Sequence, residues 1–276
     1  MWSRVRVRLS PVWSPVLVVV LAAAFVVAPP LIAGIGPSGG FAGEAGLRDA
    51  FGAAFGGYWR SGGPAFTPDL DGVVDYWLRY HLVKAVTAGA LLLVLTVLGV
   101  RLWRAFARAG RLGVPRQAAL ASAGVLVTLL ALFSLALVMA NVQGMVTPFA
   151  SLLPMLVDGS PGGPAAVTLE QVRQGLAGDG PAPAALTVLV DDFTRYHIAM
   201  AVIATVVAAG LAVAGVLLWR RFAATPRPDR WARRVLASYG VLASLLPLLA
   251  GVIAVANTTT ALDPVPALAA FFEGGW

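Results

Sequence analysis

Five stretches of this chain run apolar for more than twenty residues, and none contains an acidic side chain. They cover about Val12–Ala33, His81–Trp103, Ala118–Asn141, His197–Trp219 and Val235–Asn257. At 1.5 Å per residue, His81–Trp103 forms a helix of roughly 34 Å, enough to cross a hydrocarbon layer about 30 Å thick with slight tilt. Hydrophobic residues make up 59% of the chain and charged residues 12%, about half the charged share of a soluble domain. The solvent for such a chain is lipid. The expected fold is therefore an all-α integral membrane protein with five transmembrane helices.

Charge sets the direction of the spans. Arg4, Arg6 and Arg8 precede the first span; Arg101, Arg104, Arg108, Arg111 and Arg116 fill the link between the second and third. Arg220, Arg221, Arg227, Arg230, Arg233 and Arg234 fill the link between the fourth and fifth. That side carries 14 of the 20 basic residues and, of 13 acidic residues, only Asp229. Basic residues concentrate in cytoplasmic loops, so the N-terminus is expected in the cytoplasm and the C-terminus outside. The net charge of +7 is thereby explained by topology, and no nucleic-acid partner is expected. Arginine outnumbers lysine 19 to 1 amid abundant Ala, Val and Gly, the usage of a high-GC bacterial gene, which places the protein in a bacterial plasma membrane. The first span also fits a secretory signal peptide. Its long apolar run, the late Pro29-Pro30 pair and the lack of a clear A-x-A site after it favour a retained span, an uncleaved signal anchor.

A shift of 116 residues lays Asp75–Leu152 over Asp191–Leu268 without a gap, with 30 of 78 positions identical. Asp-x-x-x-Arg-Tyr-His opens both copies, as Asp75, Arg79, Tyr80, His81 and as Asp191, Arg195, Tyr196, His197. Leu-Trp-Arg-x-Phe-Ala closes the first helix of each, and Ala-Asn ends the second, at Asn141 and Asn257. Two hydrophobic segments do not agree this closely by composition, so the sequence reads as a duplication. Both copies run in the same direction, which predicts parallel helical-hairpin repeats in a four-helix bundle with a pseudo-two-fold axis along the membrane normal. A stripe spaced 4, 3, 4, 3 runs down the first helix of each copy: His81, Ala85, Ala88, Leu92, Leu95, Gly99, Leu102, Phe106 in the first. Seven of its eight positions are identical in the second copy, which marks it as the packing face.

These features divide the chain into an N-terminal transmembrane helix (1–35), an extracytoplasmic loop (36–74) and hairpin repeat 1 (75–152, spans 81–103 and 118–141). A second loop (153–190), hairpin repeat 2 (191–268, spans 197–219 and 235–257) and an extracytoplasmic tail (269–276) follow. Both loops hold Gly- and Pro-rich runs at Gly36–Gly40 and Gly159–Pro164. They also hold helical spacings at Leu47, Phe51, Phe55 and at Leu169, Val172, Leu176, the latter behind a Thr168-x-x-Gln171 capping box. Thr67-Pro68 reads as an N-cap and N1 pair that starts the second helix outside the bilayer, and Pro183 as the start of the fourth. Together they predict a small extracytoplasmic cap.

His81, Asn141, His197 and Asn257 sit at the outer ends of their helices, and facing inward they would form a polar ring able to bind a headgroup, a small ligand or a partner. The plainer reading is a hydrogen-bonded cluster that sets helix register. Asp75–Arg79 and Asp191–Arg195 are i,i+4 pairs, Tyr80 and Tyr196 suit the outer interface, and Trp103 and Trp219 suit the inner one. Lys84, with Met200 in its place in the second copy, either snorkels to the outer surface or faces a ligand. His81 and His197 could also ligate one haem or metal ion, although no carboxylate stands near to orient either ring. No cysteine is present, which removes disulfide, thiolate-metal and iron–sulfur chemistry. No metal site and no cofactor are otherwise indicated, and no catalytic motif is found. The expected role is an accessory or partner-binding subunit working on the outer side, in contact with the lipid bilayer and a membrane-protein partner. The alternatives are a small-molecule or lipid carrier using the ring, and a haem- or metal-binding redox subunit.

Because the native chain lacks cysteine, single cysteines at Ala109, Ser160 and Thr225 test the topology cleanly. A membrane-impermeant thiol reagent applied from outside is expected to label Ser160→Cys and to leave the other two untouched. The opposite pattern reverses the orientation.

Overall fold

In hydrocarbon each backbone N–H and C=O must be paired within the chain, and a helix does this segment by segment. The computed structural model describes residues 13–36, 39–108, 114–157, 164–178, 183–226 and 230–274. Arg4, Arg6, Arg8, Ala109, Arg111, Ser160, Arg227 and Asp229, parts of both Gly–Pro runs and the last two residues lie outside them. The described residues form α1 (Trp13–Ala33), α2 (Gly43–Ser61), α3 (Pro68–Arg108), α4 (Val114–Val146) and α5 (Pro148–Leu152). They continue as α6 (Pro154–Val157), α7 (Pro164–Ala177), α8 (Ala184–Ala224), α9 (Arg230–Leu262) and α10 (Pro264–Phe272), with no strand among them. Five helices, α1, α3, α4, α8 and α9, are long and apolar enough to cross a membrane. The chain is an all-helical membrane protein, and the exposed valines and leucines of these helices are its lipid-contacting surface.

Two compact units are present. The first combines α1 up to Pro29 with Val83–Val138 of α3 and α4. The packing stripe is buried here at Ala88 and Leu95, and Gly99 lets α3 approach α4 closely enough that a Cβ would touch Val127 at 3.5 Å. Trp103 lies against Gly124, where a Cβ would meet the indole at 2.8 Å, and its Nε1–H donates to Thr128 Oγ1 at 3.3 Å. On the opposite face Val86 and Leu93 are more than 60% exposed, which suits lipid and not water.

The second unit combines Pro30–Leu82 with the chain from Met139 onward. Within it α8 and α9 pack antiparallel, with Trp219 on Gly240 and its Nε1–H donating to Ser244 Oγ at 3.1 Å. Pro247 stands inside α9. It has no N–H, so the carbonyl four residues back, on Ala243, loses its helical donor. That carbonyl lies against Gly215 of α8, where a Cβ would come within 2.9 Å of the oxygen. Only glycine permits this approach.

The same unit holds a hydrophobic core built from the short helices and the opening turns of α3 and α8. Leu47, Phe51, Phe55 and Tyr58 enter it from α2, Leu70, Val73 and Tyr76 from α3, and Leu186, Leu189 and Phe193 from α8. Phe149 of α5 sits among the rings of Phe51, Phe55, Tyr58 and Phe66, at 4.9 Å from the last. Each fully buried ring of this kind contributes roughly 1.5–3 kcal/mol. The helix α2 is held at its start by Arg48–Glu44 (3.0 Å) and ended by Gly62, whose φ of 66° lets its N–H reach back to Trp59. Burial also pushes the Tyr58 phenol above the ordinary tyrosine range.

Both long helices start where the prolines suggested, α3 at Pro68 and α8 at Ala184 behind Pro183, well before their apolar windows. Other local expectations are corrected. Thr67 precedes α3 as expected, but its Oγ1 is buried without a hydrogen-bond partner, and its backbone carbonyl takes the Asp71 N–H instead. Thr168 does not cap a helix. It lies inside α7, buried against Gly56 of α2, because the helix starts earlier at Pro164. Residues 269–272 are no tail, since the apolar run continues α10 and buries Phe271 and Phe272.

Gly215→Ala is expected to cost about 1–3 kcal/mol by overpacking against a rigid backbone oxygen. Gly99→Ala, facing only a side-chain methyl, is expected to stay within roughly 0.5 kcal/mol. Thermal unfolding in detergent reads both, and equal effects would remove the role given to the Ala243 carbonyl.

Candidate functional site

The four polar residues singled out from the sequence are held as two pairs. His81 Nδ1 lies 3.0 Å from Asn141 Oδ1, joining α3 to α4, and His197 Nδ1 lies 2.9 Å from Asn257 Oδ1, joining α8 to α9. In each case 60 residues separate the partners. The Asn257 amide is oriented by its own helix, because its Nδ2–H donates to the Ile253 carbonyl at 2.9 Å. Its oxygen therefore faces the ring. An amide oxygen only accepts, so Nδ1 of His197 carries the hydrogen and Nε2 of the neutral ring keeps the lone pair.

Packing separates the two rings. The Nε2 edge of His81 rests on Gly144 of α4, where a Cβ would lie 2.7 Å from Nε2 and Cε1. Trp77 closes another side edge-on at 4.7 Å. His197 is flanked by Phe193 at 4.5 Å and Tyr196 at 5.5 Å. The residue 116 positions after Gly144 is Thr260 (144 + 116), whose hydroxyl bonds back to the Ala256 carbonyl at 3.1 Å.

The remaining candidates are placed as follows. Asp75 and Arg79 form an ion pair at 2.7 Å. The Arg79 guanidinium lies over Gly36, just beyond α1, where any side chain would collide with it. Tyr80 stacks on Trp77 at 4.8 Å. Asp191 and Arg195 are both exposed and, among the described residues, make no ion pair with each other. The neighbouring Asp192 takes the structural role instead, accepting the Ala150 N–H at 2.8 Å and so serving α5, whose own Thr147 makes no side-chain cap. Lys84 places its ammonium 5.0 Å from the Phe25 ring of α1, a cation–π contact. Trp103 and Trp219 act as interhelical contacts through Thr128 and Ser244.

Three connections had no sequence signal. Gln143 donates from Nε2 to the Tyr196 carbonyl at 3.0 Å, tying the end of α4 to α8 beside His197. Trp77 Nε1–H donates to Ser151 Oγ at 2.8 Å, and Arg173 clamps the Phe272 carbonyl at the end of α10 with contacts of 2.6 and 3.1 Å. A cleft of about 650 Å³ opens between α2 and the start of α3, floored by Phe41, Ala50 and Ala54 and rimmed by Asp69, Asp71 and Asp75. Among the described residues no group of three or more His, Asp or Glu is arranged to hold a metal ion.

The geometry predicts coupling within each pair. His197→Ala and Asn257→Ala should each destabilise by roughly 1–3 kcal/mol, toward the lower figure in a membrane setting, and the double variant should lose little more than either. His81→Ala combined with His197→Ala should be close to additive. Thermal double-mutant cycles in detergent measure both, and coupling between the two histidines as large as that within a pair would restore a single four-membered ring.

Comparison with protein-family models, with curated proteins and with solved structures finds no match to this chain.

Proposed function

We propose that this chain is an accessory, partner-binding membrane protein whose working surface is its extracytoplasmic side, built by duplication of one helical hairpin. The duplication is supported by elements that recur at one offset: α3 and α8 both span 41 residues, α4 and α9 both span 33, and all their bounds differ by 116. The His–Asn, Trp–hydroxyl and Trp–Gly contacts recur at the same offset. Two such hairpins would form a bundle about a pseudo-two-fold axis along the membrane normal.

The observation that carries the functional reading is the aromatic-rich core shared by α2, α5–α7, α10 and the opening turns of α3 and α8. Thirteen residues of α3 precede His81 (68–80), about 20 Å of helix that need not lie in hydrocarbon. With the arginine links in the cytoplasm of a bacterium, this core forms a cap outside the plasma membrane, on the side carrying 12 of the 13 acidic residues. A chain that only had to anchor itself would not need so much folded structure there. The partner would be a membrane protein with a basic outer surface.

The test is purification from native membrane in mild detergent. One stoichiometric protein partner is expected, released by salt or by neutralising Asp69, Asp71 and Asp191 to Asn. Recovery of the chain alone, without protein, would overturn the reading.

A second reading has its own support. The preset imidazole of His197, with Nδ1–H committed and Nε2 free to accept, suits a small ligand or lipid headgroup at the outer rim of the second hairpin.

A further inference from the structure

We propose that His197 alone of the two histidines is a ligand-accepting group, and that it receives a primary ammonium at the outer edge of the membrane. The proposal rests on the second reading above and deepens it. The two rings have the same sequence context and the same asparagine partner, yet their Nε2 atoms meet different surroundings. On His81 that edge is packed against the Gly144 backbone, an approach no larger residue permits. On His197 the corresponding position is Thr260, whose Cβ and methyl cannot nest against the ring in that way. His197 is half-buried, and among the described residues nothing hydrogen-bonds to its Nε2.

Chemistry then selects the ligand. Because Asn257 fixes the hydrogen on Nδ1, Nε2 offers a lone pair and accepts only. Its partner must be a donor. Asp191 stands more than one and a half turns before His197 on α8, and Asp263 follows α9 nearly two turns after Asn257, against the single Arg195, while Asp192 is committed to the Ala150 N–H. Two carboxylates to one guanidinium favour a cationic donor over a neutral or anionic one. The Tyr196 ring beside the imidazole suits a cation in the same place. A primary ammonium meets all three demands. Its source is either the headgroup of an aminophospholipid or a free amine, which present the same –NH3⁺.

The test uses the full chain, labelled with ¹⁵N-histidine, in phosphatidylcholine nanodiscs, with His81→Gln used for assignment. Choline carries no N–H, so this is the unliganded reference. The His197 Nε2 resonance is expected in the lone-pair range there, and to move toward the hydrogen-bonded range in nanodiscs containing phosphatidylethanolamine. Movement with the lipid but not with free ethanolamine added to phosphatidylcholine discs identifies a headgroup site, and movement with both identifies a general amine site; either supports the proposal. Thr260→Gly should abolish the movement in a chain that still shows the native His81 signal. A preset lone pair that neither amine moves would overturn the proposal and leave the ligand reading standing for other donors. A hydrogen on Nε2 in the reference state, or equal movement of both histidines, would overturn both.

Discussion

Water is absent from most of this protein's surroundings, and that one condition governs how its helices hold together. Burying a leucine against a leucine gains little when the alternative is a lipid tail. What holds α8 to α9, and α3 to α4, is close contact at small residues together with a few side-chain hydrogen bonds. Gly99, Gly124, Gly215 and Gly240 bring backbones and indoles into contact, while the His–Asn pairs fix one end of each hairpin and the Trp–Thr and Trp–Ser pairs the other. The core of α2, α5–α7 and α10 is different. There phenylalanines and leucines are buried to completion, as in a protein that folds in water.

The difference between these two kinds of packing decides what the sequence could disclose. Spans are properties of length and composition, and the described residues of all five windows lie inside helices that are long and apolar enough to cross a membrane. The packing stripe was readable too, because Ala88, Leu95 and Gly99 recur at helical spacing and are buried. Helix starts at Pro68 and Ala184 followed from proline chemistry alone. Contacts made across the chain were not readable. Asp192 reaches Ala150 over 42 residues and Gln143 reaches Tyr196 over 53, and neither has a local pattern to announce it. The Asp191–Arg195 spacing suggested an ion pair, but i,i+4 spacing only permits one, and exposure makes it worth little.

The likeness between the two hairpins makes their differences informative. Lys84 faces Phe25, whereas its counterpart is Met200. A lysine in hydrocarbon is tolerated where something receives its charge, and α1 supplies that ring in the first unit. Pro247 stands where the first hairpin has Ala131, and Thr260 where it has Gly144. Under the duplication we propose, one copy kept a tightly packed histidine while the other gained a proline within α9 and a less closely packed imidazole.

The length of α8 has a mechanical consequence. As one uninterrupted helix from Ala184 to Ala224 it measures about 60 Å, twice the hydrocarbon thickness. Leu186, Leu189 and Phe193 seat one end in the aromatic core, and Arg220 and Arg221 stand at the other. No loop lies between to absorb a displacement. A twist imposed on the seated end would therefore turn the arginine end through a comparable angle, which makes the helix a stiff shaft along its whole length.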